Sequence, residues 1–282
     1  LVTVDNCGVP AAVTEAVFTK VAAKHGISRE RLAVCSTHTH SGPWLRGFAP
    51  NILTDLPSEE AAHLKQYETD LTRNLVNVID SAIGSRRPGK LSSTRGKVDF
   101  AINRRTLAGG RWTEFGETPD GPVDHEFPIL AAHDVDGKLI AVLANCACHA
   151  TTETGQFNQI SGDWPGFAAD MIEADNTGAI ALIAIGCGAD ANPTPRGTHD
   201  MARQHGRAVA DEVKRLLDAT DPRQRTGQIR PINPRILCNM ARVDLPLGPL
   251  PSLQEWEQRA KEPGHTGAHA RQFLRLLEDG KS

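Results

Sequence analysis

The chain has 282 residues, 39% of them apolar and 23% charged, with 25 Gly and 18 Pro. That is enough for one large catalytic-sized core, and it excludes coiled-coil, collagen-like and wholly disordered chains. Thirty-one Lys and Arg against 34 Asp and Glu leave a formal charge of −3, so no broad basic field exists to attract nucleic acid. No apolar run approaches the ~18 residues of a membrane span, which leaves peripheral contact as the form any membrane association takes.

In chain order, residues 1–5 alternate like a strand already under way, with neither an initiator Met nor a signal segment. Residues 10–24 carry Val13, Ala16, Val17 and Val21 at helical spacing and stop at His25-Gly26, which predicts a helix. A short buried strand follows at 31–36. The stretch 58–83 predicts a long helix with Leu64, Tyr67, Leu71, Leu75, Val78 and Ala82 on its apolar face. A basic turn at 85–90 leads into a weakly alternating run at 91–102, and the polar Gly/Pro-rich stretches 108–111 and 114–123 predict loops.

Strands at 127–133 and 138–148 flank an Asp136-Gly137 turn and predict an antiparallel hairpin. Helices are expected at 164–174 and 199–217, with an apolar strand at 180–185 between them. Residues 236–245 predict a further strand, 246–251 a Pro-rich linker, and 271–278 a helix that the chain leaves without a completing element. The fold class expected is α/β, a layered mixed β-sheet core flanked by helices. Both ends predict a piece of a longer protein, divided into a catalytic domain at 1–230 and its continuation at 231–282. The six cysteines contain no Cys-x-x-Cys pair, so no structural zinc module is predicted; most are expected to act as small buried apolar groups.

The chemistry concentrates at strand ends. His38 and His40 stand two apart after the 31–36 strand, a spacing that in extended chain turns both imidazoles the same way, as a divalent metal such as zinc requires; paired loop histidines are the plainer alternative. His149 ends another strand. Gly186-Cys187-Gly188-Ala189-Asp190 ends a third, where small residues let a ligand approach the backbone and Asp190 is a candidate proton acceptor or a turn former. Asp163 has the position of a helix N-cap, next to a natural anion site, and Arg104 offers a cation after a strand.

These segments together resemble the neutral, non-lysosomal ceramidases. His38-Thr39-His40-Ser41-Gly42-Pro43 is similar to the family's His-Thr-His-Ser-Gly/Ala-Pro signature, Asn103-Arg104 to its Asn-Arg-Ser and Val123-Asp124-His125-Glu126 to its Asp-Lys/Pro-Glu segment. Ser161-Gly162-Asp163-Trp164-Pro165-Gly166-Phe167-Ala168 resembles its Gly-Asp-x-x-Gly-Tyr/Phe-Ala stretch, in the same order along the chain. The resemblance implies a ceramidase-like N-terminal catalytic domain holding one zinc ion, with His38 and His149 as ligands and His40 as an acid/base group. A Glu and a Tyr from farther downstream would complete the site; Tyr67, the only Tyr, lies on the apolar face of a helix.

One position departs from the family. Ala189-Asp190-Ala191-Asn192-Pro193 resembles the family's Gly-Asp-x-Ser-Pro, so Asn192 occupies the place of the catalytic Ser, with Thr194, Cys187 and Ser161 as conceivable replacements. The function expected is hydrolysis of an N-acyl amide, ceramide or a related lipid, by a metal-activated water. The catalytic positions would be His40, Asp190 and Asn192, and the substrate contacts Arg104, Asp163 and Gly188. The alternatives are a non-catalytic lipid- or glycan-binding relative and a metal-dependent esterase or amidase of small soluble substrates. No protein partner is predicted, and a secreted, periplasmic or cell-surface location follows from the resemblance alone.

Overall fold

The computed structural model describes residues 1–48, 56–218, 230–232, 236–246 and 248–280. Its centre is a five-stranded mixed sheet built from β3 (Gly89–Lys97), β6 (Glu126–Asp134), β7 (Leu139–Cys146), β8 (Ile180–Ile185) and the two-residue β10 (Arg230–Pro231). The order is β10-β3-β6-β7-β8, antiparallel except where β7 and β8 run parallel. The predicted hairpin is β6–β7, and its Gly137 takes a left-handed φ of 84° that a side chain would resist. Phe127, Ile129, Ala131, Val142, Ala144, Ala181 and Ile183 face inward from alternate positions and are buried.

One face of this sheet is covered by α3 (Asp163–Asp175) and α4 (His199–Leu217), whose Trp164, Ala168, Ile172, Val209, Val213 and Leu216 complete the main core. A second core lies between α1 (Ala11–His25) and α2 (Ser58–Gly84), beside the parallel pair β1 (Val2–Val4) and β2 (Val34–Ser36). Val13, Val17 and Val21 repeat every four residues along α1 and are buried, and Gly26 closes the helix at φ 64°. In α2 the stripe is set slightly differently from the sequence expectation. Leu71, Leu75, Ile79 and Ile83 turn inward, whereas Val78 is 51% exposed.

A three-stranded antiparallel sheet, β5-β4-β9, stands beside the core. β4 (Ala101–Ala108) is its middle strand, β5 (Arg111–Thr118) its exposed edge, and β9 (Ala191–Pro193) its short inner edge. The loop expected at 114–123 is thus corrected. Its first part is strand, held by ladder bonds to β4 although almost every β5 side chain meets water. The strand expected at 236–245 is likewise corrected, because residues 236–246 form no ladder and Leu237, Val243 and Leu245 are exposed. The helix expected at 271–278 begins earlier, as α6 (Gly264–Glu278), and packs on α5 (Leu253–Arg259), which has a Ser252/Glu255 capping box. Among the described residues no helix is long and apolar enough to cross a membrane.

Candidate active site

The site forms where three chain segments leave their sheets. At the end of β2 the backbone does not continue as the strand that would align His38 with His40. Thr37 N–H donates to Val4 O and its hydroxyl to Asp5 Oδ1, then His38 adopts φ 60°. Among the described residues only His38 and Asp163 hold a left-handed φ without being glycine, and both flank this site. Thr39, fully buried, bridges to Ala150 and donates its hydroxyl to Ser161 O at 2.8 Å, which anchors the kink from the protein side.

His38, His40 and His149 therefore converge by a kink rather than by strand alternation. Their ring centroids lie 4.9 Å (His38–His40), 4.7 Å (His38–His149) and 5.9 Å (His40–His149) apart. His38 Nδ1 lies 2.6 Å from Cys7 O, and His149 Nδ1 lies 2.7 Å from Gly188 O. A carbonyl only accepts, so each Nδ1 carries the proton and each Nε2 presents a lone pair. His40 Nε2 lies 3.4 Å from His38 Nε2. Burial, with help from the neighbouring His38 and the Arg104 and Arg196 cations, lowers the His40 pKa to about 4. Burial also lowers that of His149 to about 4, against the Gly188 carbonyl, which favours its charged form. Both rings are neutral at pH 7.

Imidazoles whose Nδ1–H is anchored on a carbonyl are donors that zinc takes, and among the described residues those whose ligand atoms lie close enough together to fit one such ion are Cys7, His38 and His40. Cys7 adds a thiol to the group: its Sγ and one ring nitrogen each of His38 and His40 all lie within 4.8 Å of one another. Burial raises the Cys7 pKa, which keeps it a thiol here. Cys7 gave no signal in sequence, being 31 residues from His38; the parallel pairing of β1 with β2 brings it in.

The opposite wall comes from the smaller sheet. A bulge in the β4–β5 ladder between Asn103 and Arg105 leaves Arg104 without a paired residue and turns it toward the histidines. Its Nη2 donates to His149 Nε2 at 3.1 Å, its Nη1 to Asn192 Oδ1 at 3.2 Å, and its Nε to Ala189 O at 3.0 Å. The lone pair of His149 that a metal would take is thus held by Arg104. Thr151 also donates to Asn192 Oδ1, at 3.2 Å. With Oδ1 accepting from two donors, Asn192 Nδ2 is the amide group left to donate.

The remaining candidates are placed as follows. Asp190 is 61% exposed and pairs with Arg105 at 2.9 Å, outside the imidazole cluster. Gly188 lies against the Ala147–Cys148 backbone, where a Cβ would come within 2.6 Å of Cys148 N, and its carbonyl is committed to His149. Asp163 is the first residue of α3 rather than its cap, which is Gly162. Asp163 is buried, with Oδ1 accepting from Trp164 N–H and Oδ2 from Glu153 N–H; burial raises its pKa. It touches the cluster indirectly, through Trp164, whose Nε1 donates to His149 O at 2.9 Å. Of the conceivable nucleophiles, Ser161 donates to Glu153 and Thr194 to Glu117, while Cys187 is exposed.

Comparison with known proteins gives four likenesses. Residues 1–197 match the family described as neutral/alkaline non-lysosomal ceramidase, N-terminal. Neutral ceramidase B of Dictyostelium discoideum is 28% identical over 171 residues, 57% of this chain and 23% of its own length. The crystal structure of neutral ceramidase from Pseudomonas aeruginosa aligns with a TM-score of 0.58 at 23% identity, covering 75% of this chain and 35% of that one. A ceramidase complexed with C2 gives 0.60 at 22% identity, covering 75% and 34%. The chain spans between 23% and 35% of the length of these relatives, and at such identities the structural likeness shows the fold.

Proposed function

The chain belongs to the neutral/alkaline non-lysosomal ceramidase family by its N-terminal domain, and from that premise we propose a zinc-dependent hydrolase that cleaves an N-acyl amide of a ceramide-like lipid. The observation that carries the reading is the clustering of His38 and His40 with the Cys7 thiol, beside His149 and a wall of Arg104 and Asn192. His38 and His149 would hold the metal, with His40 and Cys7 beside it. Zinc held there would supply Lewis acidity and a bound water with its pKa brought from ~15.7 towards ~7.

The chain's own residues cover the rest of the chemistry. Hydrolysis forms a bond from the water oxygen to the acyl carbon, breaks the C–N bond and delivers a proton to the departing amine. His40, exposed at one edge but with its Nε2 turned inward against His38, would be placed to take the water's proton and pass it on. Asp190 is worse placed, since Arg105 holds it. Arg104 and Asn192 Nδ2 are donors for the carbonyl oxygen as it gains charge. No serine is needed, which suits Asn192.

The test combines metal analysis with amine release from an N-acyl sphingoid lipid. About one zinc per chain is expected, with activity lost on chelation and restored by zinc, and with both metal and activity lost in His38→Ala and His149→Ala. Full zinc content in both variants would overturn the ligand assignment. One observation favours a second reading, a lipid- or glycan-binding protein without turnover: Asn192 stands where the resembled family has its nucleophile, and an amide cannot attack a carbonyl. Zinc-loaded protein that binds N-acyl lipids but releases no amine would select that reading.

A further inference from the structure

Cys7 is held where it stands by the segment that carries it past β1. Buried Asn6 donates its Nδ2 to Pro43 O at 2.8 Å, and its Oδ1 accepts from Gly8 N–H at 3.0 Å. From the β2 side, Thr37 N–H is bound to Val4 O and His38 N–H to Asn6 O. Cys7 is therefore bracketed by the bonds of a buried asparagine, and its own carbonyl takes the Nδ1 proton of His38 at 2.6 Å. One residue thus orients the His38 ring through its carbonyl and brings a thiol to that ring, with Sγ 3.7 Å from Nδ1.

Three donors share this corner. Cys7 Sγ and one ring nitrogen each of His38 and His40 lie within 4.8 Å of one another, and among the described residues no other set of three His, Cys, Asp or Glu groups comes as close. The lone pair of His38 is on Nε2, 3.4 Å from His40 Nε2. His149 stands across from them, but Arg104 Nη2 donates to its Nε2 at 3.1 Å and must withdraw before that nitrogen can bind an ion. Cys7 has only its proton to give up. Zinc-like ions take a thiolate at about 2.3 Å and send the thiol proton to solvent as they bind. We propose that Cys7 is a metal ligand, its thiolate binding the same ion as His38. This rests on the metal-hydrolase reading above and adds a sulfur donor to its ligand set. The ion that follows is one that accepts sulfur, such as zinc or cobalt, in preference to magnesium or calcium, which take oxygen.

The experiment loads the protein with cobalt(II) in place of zinc and reads its absorption spectrum, without reference to turnover. A near-ultraviolet band from sulfur-to-cobalt charge transfer is expected in the wild type and in His149→Ala. It should be absent from Cys7→Ser, whose zinc affinity falls at least about tenfold, the loss that even groups behind the ligands produce. Cobalt-loaded wild type without the band, or Cys7→Ser with the band intact, would overturn the proposal. A measurement on the wild type alone covers a variant that does not fold. Zinc should slow alkylation of Cys7 by iodoacetamide several-fold while exposed Cys187 and Cys238 react as before, and equal Cys7 rates with and without zinc count against ligation. The sulfur band without amine release would remove the hydrolase reading and leave Cys7 a ligand. Zinc-dependent amine release without the band would do the reverse, and protein that takes up neither ion overturns both.

Discussion

The two walls of the site are built differently. His149 rises from the five-stranded sheet, its ring held by the Gly188 carbonyl and its own carbonyl held by the indole of fully buried Trp164. Arg104 and Asn192 belong to the small sheet, whose outer strand β5 is exposed along nearly its whole length. On the first wall the partners are backbone atoms and a core side chain, which have nowhere else to go. On the second, Arg104 is held by one carbonyl, Ala189 O, and otherwise by the side chains of Asn192 and His149, which exchange partners at less cost. This division would suit the metal centre proposed above, with its ligand side fixed and its substrate side free to adjust.

The sharpest way to break the comparison is to disturb the rigid wall. In Gly188→Ala the new methyl meets Cys148 N at 2.6 Å and the Ala147 carbonyl carbon at 2.8 Å, and backbone cannot step aside as a side chain can. Such overpacking costs about 1–3 kcal/mol or more, and it moves the carbonyl that orients His149. Chemical denaturation is expected to show the loss, together with weakened zinc retention. If Gly188→Ala keeps wild-type stability, the wall is not rigid in the sense argued here.

Legibility in the sequence follows the same division. His38, His40 and His149 could be found because each sits in a short motif at the end of an apolar strand, a local signal. Even so, the reason they converge was hidden: the left-handed φ of His38 is imposed by long-range bonds to Val4, Asn6 and Ala150. The approach of Cys7 depends on strand pairing alone. β5 was missed because its residues face water on both sides and carry no period-two apolar pattern, while its ladder comes from β4. Residues 236–246 fail in the opposite sense, with strand-like composition and no partner strand among the described residues. The mixed sheet, the β6–β7 hairpin, α1, α3 and α4 were legible because local period and burial agree there.

A smaller effect tests whether the core stays dry where it approaches the site. His205 is buried on α4, stacked on Phe100 at 4.4 Å, with Nε2 2.7 Å from Pro195 O. Burial lowers its pKa below the ordinary 6.5, outweighing the opposing pull of the Pro195 carbonyl and of Asp163. Below that value the unfolded chain takes a proton that the folded chain resists. The contribution of His205 to stability is therefore complete above pH 6.5 and is lost as pH falls through and below it. Denaturation midpoints measured from pH 7.5 downward should fall less steeply in His205→Gln than in the wild type, and identical slopes would remove this group from the account.

The smallest expected effect on stability lies on the adjustable wall. Phe115 is 56% exposed, yet its ring lies 4.5 Å under the Arg104 guanidinium and 5.2 Å from that of Arg105. An exposed cation–π contact is worth about 0.5–1 kcal/mol, so Phe115→Ser should shift the midpoint little, within what surface substitutions usually do. The consequence falls on position instead. Without the ring, Arg104 keeps its three uncharged partners but loses the face that holds its plane over the site. KM for the N-acyl amide of the proposed function should then rise several-fold while zinc content stays at the wild-type level. A loss of zinc in Phe115→Ser would mean that the two walls are mechanically one, and the contrast between a fixed metal side and a yielding substrate side would fall with it.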